Sequence, residues 1–225
     1  MKTTLIVPAL NEAAIIGPLL SRVPQGVVDE MIVVDNGSTD GTGVAAAKAG
    51  ARVVTEMRRG YGSACWAGVS ALNPATEIAV FFDGDGSQCP EELSRLLGPI
   101  LAGQAELVLG ARRLADGQPF HAAVGTRLIA AFISWRYGQQ ITDIPPFRAI
   151  HVELLKRLHM RDRAFGWPAE MVVKAAALHA RIIEVSVAHE PRLAGRSKVS
   201  GTIIGSLRAG YGFLRAALRA AAEIR

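Results

Sequence analysis

Cysteine is scarce: Cys65 and Cys89 are the only two in 225 residues, far apart and outside any C-x-x-C spacing. That leaves neither a disulfide framework nor a zinc site and points to two reduced thiols. Long apolar runs are also missing. The longest, Ala122 to Trp135, is broken by Arg127 and falls short of the ~20 residues that a membrane-spanning helix needs. The amino terminus, MKTTLIVPALNE, reaches a turn and a carboxylate before the apolar core of a secretory signal could form, so a cytoplasmic location is expected. No G-x-G-x-x-G follows the first β-branched run, and neither G-x-x-x-x-G-K-[ST] nor G-x-S-x-G occurs. These absences remove the main support for a dinucleotide oxidoreductase, a P-loop enzyme and a serine hydrolase. The histidines show neither i, i+4 pairing nor nearby cysteines. No aromatic-rich stripe suggests a nucleic-acid surface, so no nucleic-acid partner is expected.

What is present is a composition able to fold, with 50% apolar and 20% charged residues. The formal charge of +5 is unevenly placed. Arg192 to Arg225 carries seven basic residues and one acid, a net +6, and everything before it sums to −1. An anionic partner at the carboxyl-terminal end is implied, whether phosphate, lipid surface or nucleic acid.

Short β-branched runs alternate with helical stretches through the first half. The pattern predicts strands at Thr3 to Val7, Met31 to Asp35, Arg52 to Thr55, Ile78 to Asp83 and Leu107 to Gly110. Helices are predicted at Glu12 to Arg22, Gly41 to Ala49 with Asp40 as its N-cap, Ser63 to Leu72, and Pro90 to Leu101. This is the rhythm of an α/β protein, with a mostly parallel sheet whose ligands collect at the carboxyl ends of the strands. After Arg113 the rhythm breaks. There follow a polar loop (Ala115 to Phe120), an amphipathic helix (Ala122 to Tyr137), a proline-interrupted stretch (Thr142 to Ile150) and a strand from Ile182 to Ala188. Gly195 to Gly201 reads as a mobile loop. From Thr202 to Ile224 a helix is expected, setting Leu207, Tyr211, Leu214 and Leu218 against Arg208, Arg215 and Arg219. Such a helix can lie on a membrane surface or pack on the protein's own body.

Four predicted strands run into polar or glycine-rich sequence, and this convergence says more than any one turn. The sharpest is Asp83-Gly84-Asp85 after Ile78-Ala79-Val80-Phe81-Phe82. Two carboxylates held together repel unless a cation or hydrogen-bond donors compensate. A hard divalent ion, Mg²⁺ or Mn²⁺, takes one or two carboxylates and completes its shell with water and phosphate oxygens.

Thr4-Leu5-Ile6-Val7-Pro8-Ala9-Leu10-Asn11-Glu12, Ile32 to Thr42 (IVVDNGSTDGT) and Asp83-Gly84-Asp85, in that order and spacing, resemble the family 2 glycosyltransferases of GT-A fold. Further stretches are similar to the polyprenyl-phosphate sugar transferases, the dolichyl-phosphate mannosyl- and glucosyltransferase type. These are Arg58 to Gly68 (RRGYGSACWAG), Leu109 to Arg112, Thr142-Asp143 with Phe147-Arg148, Glu170-Met171 and Gly195-Arg196-Ser197-Lys198. The resemblance implies a Rossmann-like sheet in one compact domain. It assigns residues 1–113 to the nucleotide sugar, 114–201 to the acceptor and 202–225 to a basic amphipathic helix. Donor contacts are expected at Pro8, Leu10, Asn11, Glu12, Asp35, Gly37, Arg59, Gly62, Asp83, Gly84 and Asp85, with Asp85 the main metal ligand and Asp83 beside it. Ser87 stands where several relatives carry glutamine and Gln88 follows it, which leaves the third protein ligand open, with Ser87 and Gln88 as its candidates.

The implied reaction is an inverting, metal-dependent transfer of a hexose from UDP-glucose or GDP-mannose to a polyprenyl phosphate. Negative charge grows on the leaving phosphate, so a metal and arginines would stabilise the transition state. An acceptor phosphate is already an anion, and alignment and neutralisation then outweigh general-base catalysis. Arg112 and Arg148 are the candidate catalytic arginines, Glu170 the candidate acceptor-side carboxylate, and Arg192, Arg196, Ser197 and Lys198 the candidate acceptor-phosphate ligands. Peripheral attachment to the inner face of a membrane through the tail is expected. Two other readings stay open: a soluble hydroxyl acceptor, which needs Glu170 or Asp143 as proton acceptor, and a nucleotide-sugar or RNA-binding module without turnover.

Overall fold

The computed structural model describes residues 1–112 and 120–190, together with residues 215, 217–219 and 221. Seven strands form one sheet: β1 (Thr3–Ala9), β2 (Glu30–Asp35), β3 (Arg52–Thr55), β4 (Ile78–Phe81), β5 (Leu107–Arg112), β6 (Arg148–His151) and β7 (Ile182–Val187). Their order is β3-β2-β1-β4-β6-β5-β7. Only β6 runs against its neighbours, pairing antiparallel with β4 and β5. The helices are α1 (Ala13–Ser21), α2 (Thr42–Lys48), α3 (Tyr61–Ser70), α4 (Leu93–Leu101), α5 (Phe120–Tyr137), α6 (Val152–Arg157) and α7 (Trp167–Ala177).

The central strands are buried on both faces, which explains their unbroken apolar runs. Along β4 and its extension the side chains still alternate. Ile78, Val80 and Phe82 enter one core with Ile16, Leu19 and Leu96, while Ala79 and Phe81 enter the other with Cys65, Trp167 and Met171. Helices α1 and α4 thus cover one face, and α3 and α7 the other. Both cysteines are buried free thiols, and burial pushes the Cys65 thiol up to about 12.

Helix α3 lies very close to the sheet at Gly68, where a Cβ would sit 2.4 Å from Cγ2 of Ile6 on β1. Gly68→Ala is therefore expected to destabilise the protein by about 2 kcal/mol through overpacking. Urea unfolding measures it, and a midpoint unchanged or raised would contradict the packing.

The architecture is the expected α/β sheet, with differences that have local causes. The stretch expected to be irregular up to Ile150 contains β6. It is only four residues long, follows Pro145-Pro146, and is held by partners about 70 positions earlier, Phe81↔Arg148 and Ile78↔His151. Strand β4 stops at Phe81, before Asp83, because the chain turns at Gly84, whose Cβ would stand 3.2 Å from the Pro8 carbonyl. The N-cap of α2 is Gly41 at φ +88°. Asp40 serves from one residue upstream, accepting the Thr42 N–H at 3.0 Å. Gly195 to Gly201 and most of the expected tail helix lie outside the described residues. Among those described in the tail, Ala217 is buried in the core beside the partly buried Ala221, whereas Leu218 is 53% exposed.

Candidate functional site

Strands β1 and β2 are in register through Ala9↔Asp35, so their loops leave the sheet side by side. Asn11, at φ +53°, donates its N–H to Ser38 Oγ at 2.9 Å and accepts the Thr39 N–H on Oδ1 at 2.8 Å. The buried Glu12 donates its N–H to Thr42 Oγ1 at 2.8 Å. Asp35 accepts the Ser38 N–H on Oδ1 at 2.7 Å. Its Oδ2 lies 3.0 Å from where a Cβ at Gly43 would stand, so only glycine leaves it room. Asn36 ties in the third strand's loop by donating Nδ2–H to the Glu56 and Arg58 carbonyls and accepting the Gly60 N–H. Gly37, at φ +77°, leaves its face open to the Arg59 guanidinium, 3.5 Å from an ideal Cβ. Half-buried Pro8 and Leu10 complete this corner, which brings together Pro8, Leu10, Asn11, Glu12, Asp35, Gly37 and Arg59 as the sequence suggests.

Gly62 is placed differently. Its N–H is donated to the Ala164 carbonyl at 2.8 Å, and a Cβ there would meet the Asp162 carbonyl at 2.4 Å. This glycine docks residues 162–164 onto the start of α3, and its amide is spent in doing so.

The Asp83-Gly84-Asp85 turn is anchored on every side. Gly84 donates its N–H to the Pro8 carbonyl at 3.3 Å, Asp83 its N–H to Gln88 Oε1 at 3.1 Å, and Ser87 its N–H to Asp85 Oδ1 at 2.9 Å. The Ser87 carbonyl accepts the Glu190 N–H, and Gln88 bridges to His189. Beneath the turn, Asp83 Oδ1, the Tyr61 hydroxyl, and Nε and Nη2 of Arg148 are buried without a hydrogen-bond partner among the described residues. Arg148 opens β6 and is fully buried. It donates Nη1–H to the Pro145 carbonyl at 3.2 Å and lies over the Phe81 ring at 5.2 Å. Burial, then the charge of Asp85, pushes the Asp83 carboxyl up to about 7 against the opposing pull of Arg148 and Arg112.

A carboxyl group so raised, beside a second carboxylate, is the arrangement that a cation relieves. No third His, Cys, Asp or Glu joins the pair among the described residues. Two carboxylates with room for water and phosphate oxygens fit Mg²⁺ or Mn²⁺. The Gln88 carbonyl oxygen accepts the Asp83 amide, and Ser87 and Gln88 are both buried.

Arg112, at the end of β5, forms a two-armed pair with Asp143, with Nε–H and Nη2–H each 2.8 Å from a carboxylate oxygen. Thr142 and Asp143 donate their N–H groups to Glu184. Burial acts to raise Asp143, but the Arg112 fork outweighs it and holds the carboxyl below its ordinary value. A depressed folded value adds stability above the unfolded pKa and loses it as pH falls through the folded one. Asp143→Asn is therefore expected to cost about 3 kcal/mol near neutrality, with the difference from wild type shrinking in acid. Thermal melts across pH check this, and a pH-independent difference would refute it.

Glu170 stands in the first turn of α7. It is 1% exposed, accepts the N–H groups of Arg161 and Asp162 at 3.0 and 2.7 Å, and pairs with Lys174 at 2.8 Å. Arg192, Arg196, Ser197 and Lys198 lie outside the described residues. Sequence reasoning missed Tyr61, although it stands inside the quoted RRGYGSACWAG stretch, and missed His189, which only the bridge to Gln88 brings to the turn.

Comparison with known proteins gives the same outline. Residues 4–159 match the sequence family described as glycosyl transferase family 2. An uncharacterized glycosyltransferase of Mycobacterium tuberculosis is 41% identical over 206 residues, 91% of this chain and 92% of the relative. The undecaprenyl-phosphate mannosyltransferase of Micrococcus luteus is 31% identical over 91% of this chain and 90% of its own. Among solved structures, glucosyl-3-phosphoglycerate synthase of M. tuberculosis, crystallised with Mn²⁺, UDP-glucose and phosphoglyceric acid, superposes with a TM-score of 0.80 at 24% identity, covering 98% of this chain and 80% of that one.

Proposed function

The chain belongs to glycosyl transferase family 2, and on that premise we propose that it moves a hexose from a nucleoside diphosphate sugar to the phosphate of a polyprenyl phosphate. The donor end of the reading rests on the Asp83/Asp85 pair beside the Asn11, Asp35 and Arg59 corner. When bound there, Mg²⁺ or Mn²⁺ would supply charge to the leaving diphosphate, with Asp85 as principal ligand and Asp83 behind it. Mn²⁺ accompanies UDP-glucose in the glucosyl-3-phosphoglycerate synthase crystals. Asp35 holds the nucleoside. Arg112, held in place by Asp143 and near enough to lower Asp83, would lend preorganised positive charge to the diphosphate side of the site.

One observation carries the choice of acceptor. Both carboxylates able to serve a hydroxyl acceptor as proton acceptor are already engaged, Asp143 by Arg112 and Glu170 by two backbone N–H groups and Lys174. An acceptor that arrives as an anion needs neither. Its oxygen attacks the anomeric carbon opposite the leaving phosphate, inverting the centre, and no proton has to be removed. The whole-length likeness to an undecaprenyl-phosphate mannosyltransferase supports the same acceptor. Arg148 and Glu170, expected from sequence as catalytic groups, then act as positioning residues. Arg148 opposes the charge of Asp83 from beneath, and Glu170 holds the segment docked on Gly62. Arg192, Arg196, Ser197 and Lys198 remain the groups assigned to the acceptor phosphate, and residues 202–225 the peripheral membrane contact.

The test supplies radiolabelled UDP-glucose or GDP-mannose with Mn²⁺ and either undecaprenyl phosphate or a panel of soluble alcohols and phosphoglycerate. Label passing into the organic phase with one donor is expected. Transfer to a soluble acceptor alone would replace the lipid reading, and binding without any product would leave a non-catalytic module.

A further inference from the structure

Away from the strand-end turns, a cavity of about 620 Å³ opens between α3, α6 and the segment that follows α6, a volume typical of small-molecule sites. Its place is well defined. Thr76 and Val152 form part of its wall, and the Val152 N–H is donated to the Glu77 carbonyl just before β4 begins. The cavity therefore lies at the amino-terminal end of β4, and Asp83 and Asp85 follow the opposite end.

Two chemistries line it. The body is apolar and aromatic: Trp66, Val69, Leu72, Leu155, Met160 and Trp167. Trp66 is 40% exposed and carries the Arg163 guanidinium 4.0 Å above its ring. Trp167 is fully buried, and its indole N–H has no partner among the described residues. The basic side chains of the lining are Lys156, His159 and Arg161, and no aspartate or glutamate is among the described residues that line it. Lys156 leans on Glu153 at 2.7 Å, but both side chains are largely exposed, so this pair competes weakly with another anion. The three basic residues fall within six positions and are all exposed. His159 sits at φ +45°, and its carbonyl is held by Lys174 Nζ at 3.0 Å.

We propose that this cavity binds a single-chain lipid anion, its hydrocarbon along the tryptophan and leucine wall and its headgroup among Lys156, His159 and Arg161. An apolar wall rewards the chain for leaving water, and a basic edge favours an anionic head. The site is separate from the transferase centre and does not depend on which donor or acceptor that centre uses.

Two of the three tryptophans in the sequence line the cavity, and the third, Trp135, stands 80% exposed on α5. Trp135→Phe protein therefore reports the cavity by its own fluorescence. It is titrated with dodecyl phosphate below its critical micelle concentration, with dodecanol and with inorganic phosphate, each with and without saturating UDP and Mn²⁺. A saturable change with dodecyl phosphate is expected, at least tenfold weaker with dodecanol, absent with inorganic phosphate and unaffected by nucleotide. The surface pair Lys156→Glu with His159→Glu should weaken dodecyl phosphate at least tenfold and leave dodecanol unchanged. Equal binding of dodecanol, binding of phosphate alone, or full binding by the charge-reversed protein would each overturn the assignment. The last of these would place the lipid at the acceptor site instead.

Discussion

Asp85→Ala is expected to lower kcat for sugar transfer about 10³-fold while leaving the fold intact. Its side chain forms the outer half of the acidic pair. The Ser87 N–H that it accepts shapes the turn, whereas the sheet beneath is held by β1, β4 and β6. The loss therefore falls on charge stabilisation of the leaving diphosphate. Calorimetric titration of UDP, UDP-glucose, GDP and GDP-mannose, each with Mn²⁺ and after chelation, separates binding from turnover. In the wild type one nucleotide class binds with metal and loses affinity on chelation; in Asp85→Ala that difference disappears. A variant that turns over within tenfold of wild type would remove Asp85 from the mechanism.

Asp83 gives the second large effect, in stability. Its carboxyl ionises at about 7 in the folded chain, against an ordinary value of 3.8. Below pH 4 both folded and unfolded chains are protonated there and the group contributes nothing. Between pH 4 and 7 the unfolded chain gives up the proton first, so stability falls as pH rises, and above pH 7 the full cost of about 4 kcal/mol is reached. Asp83→Asn removes that cost, so the metal-free variant is expected to melt above metal-free wild type at pH 8 and level with it at pH 4. Mn²⁺ should raise the Tm of wild type more at pH 8 than at pH 5.5, and that of the variant little at either. A difference between the two proteins that does not change with pH would exclude a buried, raised Asp83.

Much of this site is legible in the sequence because its parts are local. The Pro8 to Glu12, Asp35 to Thr42 and Asp83 to Ser87 segments each follow a strand directly, and parallel strands deliver their ends to one edge. What hides from the sequence depends on long-range pairing. Arg148 reads as an accessible arginine in a proline-rich stretch, and only its register with Phe81 puts it under Asp83. Glu170 opens a helix with an acid, as many helices do. Its partners, the amides of Arg161 and Asp162, lie on a returning segment whose path no periodicity reveals. Arg112 and Asp143 are 31 positions apart, and neither residue alone announces the other.

The antiparallel strand β6 also bears on how the chain can be made. Neither β4 nor β5 pairs with the other, and β6 lies between them. A ribosome that has delivered the first 112 residues has made every donor-side turn, yet the product carries two strands with bare backbone edges and no template between them. Such edges invite pairing with other chains. Nascent protein should therefore stay prone to aggregation until β6, and then β7 on the other edge of β5, have emerged, and a fragment ending near 113 should be recovered from cells as inclusion bodies.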